Sequence, residues 1–181
     1  MTQDQILRCR IRLFTWIFIV GLVVSGATAI PLRSEVEALI KFPGAEEPGS
    51  QPADVSLASW LFKVRDALRD VQNQYPFLFY GTDWLAFGHF AIALAFVGAL
   101  RDPIRNRWLF EFGIIACLLV IPYAFLFGAM RGIPVWWRLV DAAFGVLGFV
   151  PLWFCRKWSR ELELVIPGPR SNVTPATVRK H

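Results

Sequence analysis

The chain has 181 residues, of which 55% are hydrophobic and 18% are charged, and its mean hydropathy is +0.45. This composition places the chain in the class of membrane proteins before any single residue is considered. The formal net charge of +5 does not indicate nucleic-acid binding, because the basic residues cluster at the ends of apolar segments, where membrane topology is selected. We therefore expect no nucleic-acid partner.

Four segments are apolar and long enough to cross a bilayer, since about 20 mostly apolar residues span ~30 Å of hydrocarbon. They cover residues 13–32, 84–100, 109–130 and 135–155. The sequence predicts an all-α membrane protein, a four-transmembrane-helix bundle forming one domain of residues 1–160 with a disordered cytoplasmic tail of residues 161–181. Short links predict that the second, third and fourth spans are sequential antiparallel neighbours, while the position of the first is left open.

The first span has a competing interpretation as a cleaved signal peptide. It begins with basic residues, continues with an apolar run and reaches an A-x-A pattern at Ala27-Thr28-Ala29. The apolar stretch continues through Ile30 and Leu32, which makes it longer than the usual core of a signal peptide. A retained membrane anchor is therefore the favoured interpretation.

The outer segment, residues 33–83, is predicted to hold two helices. Ser34 is expected to cap a short helix that ends at Lys41, and the Pro- and Gly-rich residues 43–52 are expected to form a loop. Residues 55–73 repeat apolar side chains at i, i+3, i+4 and i+7, which predicts an extracytoplasmic amphipathic helix. This helix either lies on the outer leaflet or packs across the ends of the spans as a lid, and the pattern favours neither.

The basic residues predict the orientation of the chain. They precede the first span, fill the link between the second and third spans and follow the fourth, at Arg8, Arg10, Arg12, Arg101, Arg105, Arg107, Arg156, Lys157 and Arg160. The link between the third and fourth spans contains only Arg131 as a basic residue. By the positive-inside rule, both termini are expected to be cytoplasmic in a multi-pass protein of the inner (plasma) membrane.

The candidate site residues are polar side chains within the spans. A rise of 1.5 Å per residue places His89, Tyr123 and Asp141 at about 9 to 10 Å below the outer boundary, with Arg138 slightly shallower. One interpretation is a catalytic or binding pocket in which His89 transfers a proton, Asp141 orients it, Arg138 holds an anion and Tyr123 donates a hydrogen bond. The favoured alternative is a structural network in which Arg138 pairs with Asp141, and His89 bonds to Asp141 or Tyr123.

Near the inner boundary, Glu111 is expected to pair with Arg105 or Arg107 of the neighbouring link rather than to act in catalysis. Small residues of the third span are expected to form a helix-packing stripe, at Gly113, Cys117, Ala124 and Gly128. These expectations assign the remaining polar and small residues of the spans to structure.

The sequence provides no set of residues for a cofactor or a metal. A bis-histidine haem needs two histidines on facing spans, and the second histidine of this chain is His181 in the tail. A zinc site needs three or four ligands, and the three cysteines lack metal-binding spacing and are expected to be free thiols, at Cys9, Cys117 and Cys155. We therefore expect no cofactor and no metal.

Two functions from different classes follow. The favoured one is a non-enzymatic accessory, assembly or scaffold subunit, whose partners are the lipid bilayer and other membrane-protein subunits. The alternative is a membrane-embedded enzyme or binder of a lipophilic small molecule, which uses the His89, Asp141, Arg138 and Tyr123 cluster beneath the amphipathic helix. A proton-coupled or channel subunit ranks last, because mostly apolar residues separate this cluster from Glu111.

Overall fold

The computed structural model describes residues 2–41 and 57–166. Within these ranges the chain forms α1 (Gln3–Thr28), α2 (Leu32–Ile40), α3 (Leu57–Gln74), α4 (Tyr80–Arg101), α5 (Arg107–Met130) and α6 (Val135–Val165), with a 3₁₀ turn at Pro76–Phe79 before α4. Four of these helices are long and apolar enough to cross a membrane: α1, α4 together with its preceding turn, α5 and α6. The predicted all-α, four-helix membrane bundle is confirmed, as is the amphipathic helix between the first two spans.

Two helix boundaries differ from the prediction. Helix α6 continues to Val165 instead of ending at Cys155, because Leu162 is fully buried in the core, so the predicted disordered tail does not begin at Glu161. Helix α2 begins at Leu32 after Pro31, so Ser34 lies within the helix and the predicted cap is wrong. Proline suits the start of a helix because no N–H is needed there. The predicted loop 43–52, residues 55–56 and the tail from residue 167 lie outside the described residues.

The spans are not arranged in their order along the chain. Helix α1 packs extensively against both α4 and α6, and α5 packs along α6, whereas α4 and α5 make only a small contact. The predicted neighbour relationship is therefore confirmed for α5 and α6, whereas α4 and α5 meet only near their link, where the ring centroids of Phe96 and Phe110 are 6.3 Å apart. The link between α4 and α5 holds them together at one end, where Asn106 Nδ2 donates a hydrogen bond of 3.0 Å to the Gly98 carbonyl.

The two ends of the bundle differ in packing. We call the end that carries the start of α1, the α4–α5 link and the last turns of α6 the terminal end, and the opposite one the α2–α3 end. The fully buried large side chains lie in the terminal half, at Ile11, Thr15, Phe96, Phe110, Leu152, Cys155, Ser159 and Leu162. Thr15 Oγ1 donates to the Ile11 carbonyl at 2.7 Å and lies 3.6 Å from Cys155 Sγ, which ties α1 to α6. The core therefore joins the α1–α4 and α5–α6 pairs mainly at the terminal end.

Helix α3 packs against α2 and the 3₁₀ turn, and within the described residues it makes no extensive contact with the spans. Val36 of α2 and Leu61 and Phe62 of α3 are buried. Arg69 of α3 forms an ion pair of 3.4 Å with Glu37 of α2. Because α3 packs on α2 and makes no extensive contact with the spans in the part of the chain that the structure describes, the interpretation of this helix as a lid packed across the spans is wrong.

Candidate functional site

Helices α5 and α6 approach each other closely because glycines line their contact. A Cβ atom at Gly145 would lie 2.5 Å from the backbone oxygen of Cys117, and one at Gly113 would lie 2.6 Å from Leu152 Cδ1. Gly128 meets the side chain of Arg138, whose Cγ and Cδ would lie 2.8 Å from an added Cβ. Gly113, Cys117 and Gly128 of the predicted stripe are thus used in packing α5 on α6.

Beside this contact, a groove of about 570 Å³ opens along α5 and α6 towards the α2–α3 end. Most of its lining is apolar, and the residues that form it are Ala116, Leu119, Val120, Tyr123, Ala124, Phe127, Gly128, Arg131, Ile133 and Asp141. Two of the four predicted site residues, Tyr123 and Asp141, therefore meet at one surface. Arg138 borders it through its contact with Gly128.

Asp141 is half-buried in this groove, and its carboxylate has no ion-pair or hydrogen-bond partner among the described residues. The predicted ion pair with Arg138 is not formed. Arg138 Nε instead donates a hydrogen bond of 2.7 Å to the Ile133 carbonyl in the link between α5 and α6. A long cationic side chain can extend along apolar surface and place its charge near the membrane boundary. Arg138 extends in this way towards the link between α5 and α6, and not towards Asp141.

Tyr123 contributes an exposed ring to the groove. Its side chain is 65% exposed, and its ring lies 4.3 Å from that of Phe127 between centroids. The ring therefore covers apolar surface of α5. The phenol can serve as a donor or acceptor towards a molecule seated in the groove.

His89 lies at a different interface. It faces α1 from α4, where its Cβ would lie 2.9 Å from a Cβ at Gly26, and it does not line the groove. Its Nδ1 lies 2.8 Å from the Leu85 carbonyl, so Nδ1 carries the proton and donates it. The predicted hydrogen bond from His89 to Asp141 or Tyr123 is not formed, because α1 rather than α5 or α6 packs against this face of α4.

Glu111 is paired, but not with the predicted partner. Its Oε1 accepts a hydrogen bond of 3.0 Å from Arg156 Nε of α6, whereas Arg107 pairs with Glu163 at 2.6 Å. Both ion pairs join α5 to α6 at the terminal end. The link arginines are displaced from Glu111 because this glutamate lies on the α6 side of α5.

Sequence reasoning missed two residues at the mouth of the groove, Arg131 and Ile133. The sequence assigned Arg131 only a role in membrane topology. A backbone carbonyl such as that of Ile133 is not marked by any pattern of side chains. Their position in the short link next to the groove helices is the feature that marks them.

Comparison of the chain with protein-family models, curated proteins and solved structures finds no match.

Proposed function

We propose that this chain is a non-enzymatic accessory or assembly subunit of a complex in the inner (plasma) membrane, with both termini in the cytoplasm. The distribution of charge supports this orientation, because the arginine-rich segments adjoin the terminal end of the bundle. In this orientation the α2–α3 pair is outside the cytoplasm, and the groove opens in the outer leaflet.

One observation carries the proposal: the predicted reactive groups are divided between two helix interfaces. A general base needs to lie within hydrogen-bond reach of the group it deprotonates, or one water molecule away. His89 faces α1, whereas Asp141 and Tyr123 line the groove on α5 and α6. This separation speaks against a shared catalytic centre and favours a structural role for His89.

Native mass spectrometry of the untagged protein, extracted gently from its own membrane, tests the proposal. We expect the chain to appear with other protein chains in a fixed stoichiometry and without a small-molecule adduct. A chain that repeatedly appears alone would contradict the proposal. Extraction in several mild detergents controls for complexes that one detergent dissociates.

A binder of a lipophilic small molecule is the second candidate, because Tyr123 and Asp141 share one apolar groove. In that case the same spectra should contain a reproducible small adduct. Asp141→Asn should remove the adduct, whereas His89→Ala, which changes a residue outside the groove, should retain it. If both variants lost the adduct equally, the result would instead support the single pocket of His89, Tyr123, Arg138 and Asp141 that the sequence predicts.

A further inference from the structure

We propose that the groove between α5 and α6 binds a transmembrane helix of a different protein, and that this helix carries a lysine or arginine opposite Asp141. The inference rests on the proposed accessory-subunit function and specifies the chemistry of the partner. Three observations support it: Asp141 has no ion-pair partner among the described residues, it lies well inside its span, and the shape of the groove suits a helix.

The charge of Asp141 is the first step. An ionisable group within the hydrocarbon normally faces a partner, because an isolated charge there is costly. Glu111 follows this rule through its ion pair with Arg156. Asp141 has no such partner among the described residues: Arg138, one turn away, is bound to the Ile133 carbonyl, and Arg131, which also lines the groove, forms no ion pair with it. The occupant of the groove therefore has to supply the cation.

The depth of Asp141 separates a protein side chain from a phospholipid amine. Asp141 follows Pro134 by seven residues along the sequence, which places it about 10 Å below the end of the helix. Phospholipid headgroups lie outside the hydrocarbon core. A lipid amine would have to enter the hydrocarbon to reach this carboxylate, whereas a helix can present a lysine or arginine at any depth.

A second copy of this chain does not supply the cation. In the half of the spans nearest the α2–α3 end, Arg138 is the only lysine or arginine in the sequence. Symmetric copies in a membrane keep each residue at the same depth, so the nearest candidate on a second copy would be another Arg138. Since the side chain of Arg138 folds across Gly128 to the Ile133 carbonyl of its own chain, a different protein is the better source of the cation.

The shape of the groove suits a helix. Ala116, Val120 and Ala124 follow one another at four-residue spacing along its lining, and small residues let helix backbones approach in membranes. The groove is also shallow, with Tyr123 65% and Leu119 61% exposed. Sites for small molecules usually enclose most of the ligand, whereas a helix needs contact along one face only.

A reconstitution experiment with defined peptides tests the inference. The full-length protein carries a donor dye on the exposed Cys9, since Cys117 and Cys155 are buried, and is placed in phosphatidylcholine vesicles. The probe is an acceptor-labelled Leu/Ala peptide of about 20 residues with one lysine about seven residues from one end. Matched peptides carry leucine or glutamate at that position. Association is measured by energy transfer.

We expect the lysine peptide to bind on the order of tenfold more tightly than the leucine peptide. The glutamate peptide should bind no more tightly than the leucine peptide. Asp141→Asn should remove the preference, Asp141→Glu should retain it, and Glu111→Gln, which changes the acid already paired, should leave it intact. Unchanged binding of the leucine peptide by Asp141→Asn shows that this variant is still folded.

Equal binding of the lysine and leucine peptides, or an unchanged preference in Asp141→Asn, would overturn the inference. Loss of the preference when phosphatidylethanolamine replaces part of the phosphatidylcholine would also overturn it, in favour of a lipid amine. The peptide measurement does not depend on companion chains in the native membrane. If companions are found by native mass spectrometry but the peptide result is negative, the accessory function stands and this groove is not its helix-binding site.

Discussion

The side chain of Arg138 lies across Gly128, and its Nε donates to the Ile133 carbonyl at 2.7 Å rather than reaching Asp141. Gly128 makes this path available, because any Cβ there would lie 2.8 Å from Arg138 Cγ and Cδ. A pair that helical spacing predicts is therefore separated by a contact with the neighbouring helix. Asp141 is left facing the groove without an ion-pair partner among the described residues.

Neutralising Asp141 should stabilise the isolated protein. An unpaired carboxylate costs about 2.5 to 3.5 kcal/mol at the centre of a membrane-spanning helix on insertion scales, and Asp141, which lies nearer to one end of its span, should cost less than this. We expect Asp141→Asn to raise the midpoint of unfolding in detergent or lipid bicelles.

The same substitution has the opposite effect if Asp141 belongs to a structural network, since its partner would then lose a hydrogen bond. Glu111→Gln is the matched control, because it removes the acid that pairs with Arg156. This control should be neutral or slightly destabilising. A clear loss of stability in Asp141→Asn would restore the network interpretation.

Gly145→Ala should destabilise the contact between α5 and α6. The added methyl would lie 2.5 Å from the Cys117 carbonyl oxygen, which belongs to rigid helix backbone and cannot turn aside. Overpacking of this kind costs about 1 to 3 kcal/mol. The free energy of unfolding, measured by titration with sodium dodecyl sulfate, reports the loss.

Gly88→Ala provides the comparison within a span, because no heavy atom lies within 4 Å of a Cβ added there. It should be neutral or slightly stabilising, since alanine favours helix more than glycine does. Equal effects of the two substitutions would contradict the close approach of α5 and α6.

Acidification should loosen the contact between α2 and α3. The hydrogen bond from Arg33, followed by that from Arg69, lowers the pKa of Glu37 below its ordinary value of 4.5. The stabilisation is therefore complete above pH 4.5 and is lost as the pH falls through the lower pKa of the folded state. The effect should be small because this glutamate is solvent-exposed.

Spin labels on α2 and α3 can measure the distance between these helices as the pH is lowered from 6 to 3. The distance distribution should broaden in the acidic part of this range. Glu37→Gln removes the titrating group and should give the same distribution at every pH. A transition that persists in Glu37→Gln would assign the effect to another group.

Helix α1 should remain attached in the mature protein. Ile11, Thr15 and Ile19 are buried in the core, and α1 packs against both α4 and α6. Cleavage after Ala29 would remove the helix that joins these two spans. Peptide mapping of protein from its own membrane should therefore recover Thr28 and Ala29 still joined to Ile30. A mature chain that begins at Ile30 would contradict the retained-anchor interpretation.

Hydropathy and residue spacing were sufficient to predict the four apolar spans and the amphipathic helix. These properties depend on a residue's position along one helix and on its transfer from water to lipid. The apolar stripe of α3 is an example, since Leu61 is buried as its spacing predicts. The same reasoning could not say that α2, rather than the bundle, covers that stripe.

The sequence by itself determined that the chain has four segments long and apolar enough to cross a membrane, and it predicts that His89, Tyr123, Arg138 and Asp141 lie at similar depth. Only the tertiary structure decided which of them meet. Because α1 packs against both α4 and α6, His89 is separated from Asp141, and because Gly128 admits the side chain of Arg138, Arg138 and Asp141 form no ion pair. Depth follows from distance along a single helix, but the neighbours of a side chain depend on how helices rotate and pack against each other. That rotation is set by close contacts such as Gly145 on Cys117: spacing along one helix marked Cys117 as a packing residue, but it does not say which residue of another helix meets it.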